Sequence, residues 1–362
     1  MHFLTELVAL VLGAYLSLIN TLAVPLETWF GNDTTENTST IEITPTEEDL
    51  SFLPSRIGLS IPDILLRSSS YQQAALVSDA DLSGATTNEP LEAIVNIFCT
   101  FTADDYIRTT TGTGFFIDPD GVILTNAHVA QFLLLEKSAE GGKTECIIRS
   151  GNPAAPRYHA ELLYISPAWI QENATVMNDD VPMGTGERDY ALLFVSKTID
   201  DSPLPAIFPA LGYNINSLPI TDKNSVVLAA GYPATDLLQN GPSTDLIPRQ
   251  ATSTISELYT FGSNYADVFS IKGSVVGAEG SSGGPVLNKQ GQVIGIIVTR
   301  GDDATDGAGS LRAITLSHID RTITQETGFS FTKNLNGNLP YRANIFAETL
   351  SPFLVTILQQ AR

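Results

Sequence analysis

From position 91 onward the chain is written in short apolar runs. Residues 93–101 (AIVNIFCTF) are β-branched and aromatic, which predicts a strand. Residues 113–117 and 122–125 flank Asp118-Pro119-Asp120-Gly121, a turn signature between two apolar runs and therefore a hairpin. Residues 126–135 then read as a short helix. Further strands are predicted over 145–149, 160–165, 190–195, 225–229, 251–257, 268–271, 293–298 and 311–315. So many short strands, separated by Gly, Pro and Asp turns, predict an all-β sandwich or barrel. One helix interrupts the pattern near Ser317. That serine reads as its N-cap, with Asp320 three residues on and Gly328 as its stop.

The two ends follow other patterns. Residues 7–24 (LVALVLGAYLSLINTLAV) are uncharged and about as long as a bilayer crossing. The first basic residue after them is Arg56, so the positive start of a secretory signal is missing, but Thr21-Leu22-Ala23 offers small residues to a signal peptidase. Signal peptide and uncleaved membrane anchor both fit. Residues 25–52 are rich in Thr, Asn and Glu and read as a linker, and 53–90 as an N-terminal extension with a short helix after Pro62. In the tail, 326–362, Ile345, Phe346, Leu350, Phe353, Leu354, Ile357 and Leu358 keep helical spacing. This predicts an amphipathic helix, docked on the body in preference to binding a partner.

Composition narrows the function. The chain has 362 residues and 43% hydrophobic content, enough for one large or two medium domains. Its formal net charge of −21 should repel nucleic acid and anionic membrane surfaces. Four histidines are few for a metal cluster, and Cys99 and Cys146 have no zinc-ligand spacing, so neither metal nor cofactor is expected.

Three stretches carry candidate chemistry. GAEGSSGGPVL (277–287) places Ser282 among glycines, where the backbone can approach a substrate carbonyl closely. LTNAHVA (124–130) sets His128 at the start of a helix just after the hairpin. RDYALLFV (188–195) sets Asp189 at the edge of an apolar strand. Each alone is ordinary: a turn serine, a structural histidine, a capping aspartate.

Together they resemble trypsin-like serine proteases, especially the HtrA (DegP-like) branch. The resemblance rests on TGFFIDPDGVILTNAHV (113–129), DYALL (189–193) and GSSGGPVLNKQGQVIGI (280–296), with the weaker AAGYP (229–233) between the last two. The chain order His, Asp, Ser agrees with this family and not with subtilisin or the α/β-hydrolases. The resemblance covers about 91–325. It implies two six-stranded antiparallel β-barrels, one over about 91–197 and one over about 217–316, joined by a crossover at 203–216. The active site would lie between them. It further implies His128, Asp189 and Ser282 as catalytic residues and the N–H groups of Gly280 and Ser282 as an oxyanion hole. The chain departs from the family at Ser281, where HtrA-type proteins usually have Asn and chymotrypsin-type zymogens have Asp. No Ile-Val-Gly-Gly activation site is present, and the tail is too short for a PDZ domain.

By the same resemblance the specificity pocket falls on Val276, Val298, Arg300 and Gly309, an aliphatic set without an anion. Cys99 and Cys146 fall on the first and fourth strands of barrel one, where either a disulfide or two buried thiols would fit. The function implied is a serine endopeptidase acting on protein or peptide substrates outside the cytoplasm, free or attached to the membrane through 7–24. The alternative is a catalytically silent protease fold used for binding.

Overall fold

The computed structural model describes residues 66, 69–76, 84–102, 107–137, 142–179, 186–235, 237, 244–273, 276–300 and 310–361. The predicted 7–24 segment, the 25–52 linker and Gly309 lie outside them, as does most of the short helix expected after Pro62. All described residues belong to one compact unit, 58–362.

Twelve described strands form two closed antiparallel barrels. Barrel one contains β1 (Ile94–Thr102), β2 (Ile107–Asp118), β3 (Val122–Thr125), β4 (Lys143–Ser150), β5 (Ala155–Ile165) and β6 (Ala191–Thr198), closing in the order β1-β2-β3-β6-β5-β4. Barrel two contains β7 (Val226–Gly231), β8 (Arg249–Tyr259), β9 (Val268–Ile271), β10 (Pro285–Leu287), β11 (Val293–Arg300) and β12 (Leu311–Thr315), closing as β10-β11-β12-β9-β8-β7. Closure gives every strand a neighbour on both sides, so neither barrel has an edge strand.

Three strands differ most from the sequence reading, β5 by beginning at Ala155, five residues before position 160. β2 begins six residues before position 113, because Thr109, Thr110 and Thr111 pair along β1 opposite Thr100, Cys99 and Phe98. Threonine is β-branched and suits a strand, but a run of it carries no apolar alternation. β10 has three residues, too few for periodicity, and opens on Pro285, which a strand tolerates at its first position.

The apolar residues of barrel two divide between two cores. Val227 and Ala229 of β7, Ile294 and Ile297 of β11, and Leu311 and Ala313 of β12 face a core of their own. Ala230, Val293, Ile296, Val298 and Ile314, from the same strands, join a larger core that is continuous through barrel one. The crossover is laced to both barrels. Leu211 N–H donates to the Phe116 carbonyl at 3.0 Å and Asn214 N–H to the Val293 carbonyl at 2.9 Å.

The helices cover barrel one and its seam with barrel two. They are α1 (Ser69–Leu76), α2 (Pro90–Ala93), α3 (Ala127–Leu134), α4 (Pro167–Asn173), α5 (Leu316–Thr327), α6 (Phe331–Leu335), α7 (Leu339–Thr349) and α8 (Ser351–Gln360). Helix α5 starts two residues earlier than a cap at Ser317 implies. Its cap is Thr315, whose hydroxyl accepts from His318 N–H at 3.1 Å, so Ser317 lies inside the first turn. Gly328 does end it, with φ +82° and its N–H on the Thr324 carbonyl. The tail stripe spans two helices, broken before Pro352. Phe346, Leu350, Leu354 and Leu358 are buried, and Ile345, Phe353 and Ile357 pack half-buried on the same core. Cys99 and Cys146 stand opposite each other on β1 and β4 and form a disulfide.

Candidate active site

The site is assembled at the seam of the barrels. Helix α3 begins directly after β3, and its second residue is His128. Asp189 precedes β6, the neighbour of β3, so the sheet brings the two side by side. Arg188 turns the chain into that position with a left-handed φ of +57°. Asp189 is fully buried and His128 is 3% exposed. One carboxylate oxygen, Oδ1, accepts from His128 N–H at 2.9 Å. The other, Oδ2, faces His128 Nδ1 at 2.8 Å. Asn126 adds a third tie, from its amide to the Asp189 carbonyl at 2.8 Å. A carboxylate only accepts, so Nδ1 carries the hydrogen and Nε2 is left as the basic nitrogen.

The serine loop enters from barrel two. Ser281 N–H donates to the Ala278 carbonyl at 3.2 Å, Gly283 N–H to Ile297 at 2.8 Å, and Gly284 N–H to Ser281 at 2.9 Å. Among the described residues the N–H groups of Gly280 and Ser282 have no hydrogen-bond acceptor. The direction of the first is set by its own peptide. The Glu279 carbonyl accepts from Ala234 N–H at 2.7 Å, and in a trans peptide the Gly280 N–H points the opposite way. Gly280 has φ +88°, and a Cβ there would stand 2.6 Å from the Tyr232 carbonyl oxygen. Gly283 has φ +87°, and a Cβ there would stand 1.9 Å from the Thr113 carbonyl oxygen. Both positions require glycine.

Ser282 and His128 line one cleft. Ser282 Oγ donates to the Val298 carbonyl at 3.2 Å and not to His128. The cleft wall on barrel two includes Ala278, Ile297, Val298, Arg300 and Leu311. On barrel one it includes Phe98, Val129 and Thr109 to Thr111. Of the residues expected in the pocket, Val298 and Arg300 line this cleft, with Arg300 Nη2 donating to the Gly277 carbonyl at 3.4 Å. Val276 does not. It is fully buried in the core of barrel two and is not on the cleft wall, because its side chain packs inward with that barrel's aliphatic residues. The barrel-one wall went unread in the sequence, since its threonine run resembles a loop.

A second polar layer lies behind Asp189, and nothing in the sequence marked it. Glu326, near the end of α5, takes hydrogen bonds from Tyr164 Oη and from Ser166 Oγ (3.0 Å) and pairs with Arg188 Nε at 3.1 Å. Tyr190 Oη meets Thr322 Oγ1 at 2.8 Å. Burial first, then the Glu326 charge, holds the Tyr164 and Tyr190 phenols well above the usual tyrosine range, so both are neutral hydrogen-bonding groups. Both neighbours of Asp189 in the chain are thus anchored to α5.

Three solved structures of the Rv3671c protease of M. tuberculosis resemble the chain. Its active form is 20% identical over 67% of this chain and 83% of that one, with a TM-score of 0.39. An inactive mutant form is 19% identical over 66% and 88%, with a TM-score of 0.39. A further inactive form is 20% identical over 66% and 90%, with a TM-score of 0.38. No curated protein matches the chain. The family model of the trypsin-like peptidase domain matches residues 112–296, just over half the chain and the span that holds His128, Asp189 and Ser282, and the chain belongs to that family of proteases.

Proposed function

We propose that the protein is a serine endopeptidase that cuts protein substrates by a His128, Asp189, Ser282 triad through an acyl-enzyme. The observation that carries the reading is one of arrangement. A histidine fixed by a buried carboxylate shares a cleft with a serine whose loop leaves two N–H groups without partners among the described residues. In the reaction Ser282 Oγ leaves the Val298 carbonyl by rotation about χ1, a move between staggered wells, and turns to His128 Nε2. It attacks the scissile carbonyl while Nε2 takes its proton. The oxyanion is met by Gly280 and Ser282 N–H, each such donor being worth about 2.7–4 kcal/mol. His128 then gives the proton to the leaving amine, and water repeats the sequence on the acyl-enzyme. Asp189 holds the tautomer and stabilises the imidazolium.

The test is labelling with a serine-directed fluorophosphonate alongside hydrolysis of a denatured protein substrate. Wild-type protein labels and cleaves. Ser282→Ala does neither, and His128→Ala loses on the order of 10⁴- to 10⁶-fold in kcat, with no further loss in the double variant. Near-wild-type turnover by purified Ser282→Ala sinks the assignment. A wild-type protein that neither labels nor cleaves is the binding protein of the alternative reading, in which the Ser282–Val298 bond is the resting end state.

A further inference from the structure

Thr113 belongs to β2 of barrel one and has no exposed surface, yet most of its polar groups are spent on barrel two. Its N–H donates to the Ser282 carbonyl at 2.8 Å. Its hydroxyl donates to the Gly280 carbonyl at 2.6 Å and accepts from Tyr232 N–H at 2.9 Å. Its own carbonyl accepts from Thr125 Oγ1 at 2.7 Å and packs on Gly283. The direction of the hydroxyl hydrogen is fixed. Tyr232 N–H occupies a lone pair, so the one hydroxyl hydrogen goes to Gly280.

The residue next to the nucleophile does not share this work. Ser281 is fully buried, and its hydroxyl has no hydrogen-bond partner. The segment around Gly280 is held instead at two carbonyls, Glu279 on Ala234 and Gly280 on Thr113. Between them lies a glycine at φ +88°, a residue that loses little by turning its peptide over.

We infer that Thr113 is a positioning residue: its hydroxyl, reaching across from barrel one, keeps the peptides flanking Gly280 oriented so that the Gly280 N–H stays turned to the cleft. The inference rests on the triad reading above. It makes the oxyanion donor depend on the seating of one barrel on the other, with no charged anchor beside Ser282.

The test compares wild type, Thr113→Val and Thr113→Ser, with Ser282→Ala as the reference for the underlying reading. Each is assayed for kcat and KM on a peptide substrate, for the rate of fluorophosphonate labelling, and for affinity for a peptide boronate, whose tetrahedral adduct uses the oxyanion donors. Thr113→Val should lower kcat, labelling rate and boronate affinity by about 10- to 100-fold, below the full loss of a donor, and leave KM within about threefold. Thr113→Ser should stay within about threefold of wild type throughout. If Thr113→Val does not fold, Thr113→Ala replaces it with the same expected result. Wild-type kcat in the hydroxyl-less variant, with Ser282→Ala dead, overturns the inference and leaves the triad standing. So does a Thr113→Ser variant as poor as Thr113→Val, which would point to methyl packing. Activity retained by Ser282→Ala removes the triad reading, and the inference with it.

Discussion

Substrate choice is decided by a few side chains in the cleft. The wall beside Ser282 is aliphatic at Ala278, Ile297, Val298 and Leu311, and the one carboxylate among its described residues, Glu279, is exposed at the rim. A Lys or Arg side chain inserted there would leave water without a buried partner, which is costly. Arg300 is occupied with the Gly277 carbonyl at its outer end. Cleavage should therefore follow small or medium apolar residues such as Val, Ala or Leu. An apolar pocket separates such side chains by only about 1–3 kcal/mol, so the preference should be broad. Mass-spectrometric mapping of cuts in a proteome-derived peptide library checks this, and a majority of cuts after Lys, Arg, Asp or Glu would contradict it. The residues of the motif stretches were legible in the sequence because each brings its own backbone signature: a glycine pair, a hairpin turn, a strand after an aspartate. The parts played by Thr113 and Arg188, at the start of two of those stretches, and by Glu326 were not. A residue that matters by reaching across 160 or more positions, as Thr113 does to Gly280, leaves no local pattern.

At the level of elements, apolar strands were legible and their polar extensions were not, as β2 shows with Thr109 to Thr111. The cap of α5 was misplaced by two residues because Ser317 and Thr315 are equally good capping types and only the register of β12 decides between them. That junction also carries a charge cluster. Asp267, fully buried, accepts from Thr260 and Ser263 hydroxyls and from Phe261 N–H on one oxygen, and faces His318 Nδ1 (3.1 Å) and Arg321 on the other. Burial holds His318 below the ordinary 6.5 in spite of Asp267, and its Nε2 is buried without a partner, so the folded protein keeps it neutral. A group whose pKa is lowered by folding contributes stability that is complete above the unfolded value and is lost as pH falls toward the folded one. Thermal stability should accordingly drop as pH is lowered below 6.5. In His318→Asn, whose amide can still donate to Asp267, the drop over that range should be smaller. An unchanged Tm-against-pH profile in the variant would show that His318 does not drive it.

The molecule as a whole is held by its tail as much as by its barrels. Leu354 of α8 is fully buried in the core that runs through barrel one, far along the chain from α3 and α4, on which α8 packs. Truncating it as Leu354→Ala should cost about 2–5 kcal/mol. Because that core is shared with barrel two, a single unfolding transition should shift in urea, followed by both fluorescence and circular dichroism. Two separated transitions would mean that the barrels unfold independently. The disulfide between Cys99 and Cys146 closes a separation of 47 residues within barrel one alone, which the chain-entropy model values at about 4 kcal/mol. Two-barrel architecture was legible only through the family that the motif stretches resemble, and the tail was legible as a helical stripe docked on the body, without the surface it docks on. Periodicity says that a face is apolar and not what it covers.

That shared core has a kinetic side. Gln72 of α1 donates to the Thr327 carbonyl at the end of α5, 255 positions away, and α7 and α8 close over a barrel whose first strand begins at Ile94. Loops of that length must close before their contacts stabilise anything, so folding should be slow for topological reasons, with barrel one remaining an open, sticky intermediate until the distant helices dock. A cleft that needs both barrels seated would then be the last thing to form. During that interval the chain has no competent site, and a half-folded copy cannot cut its neighbours.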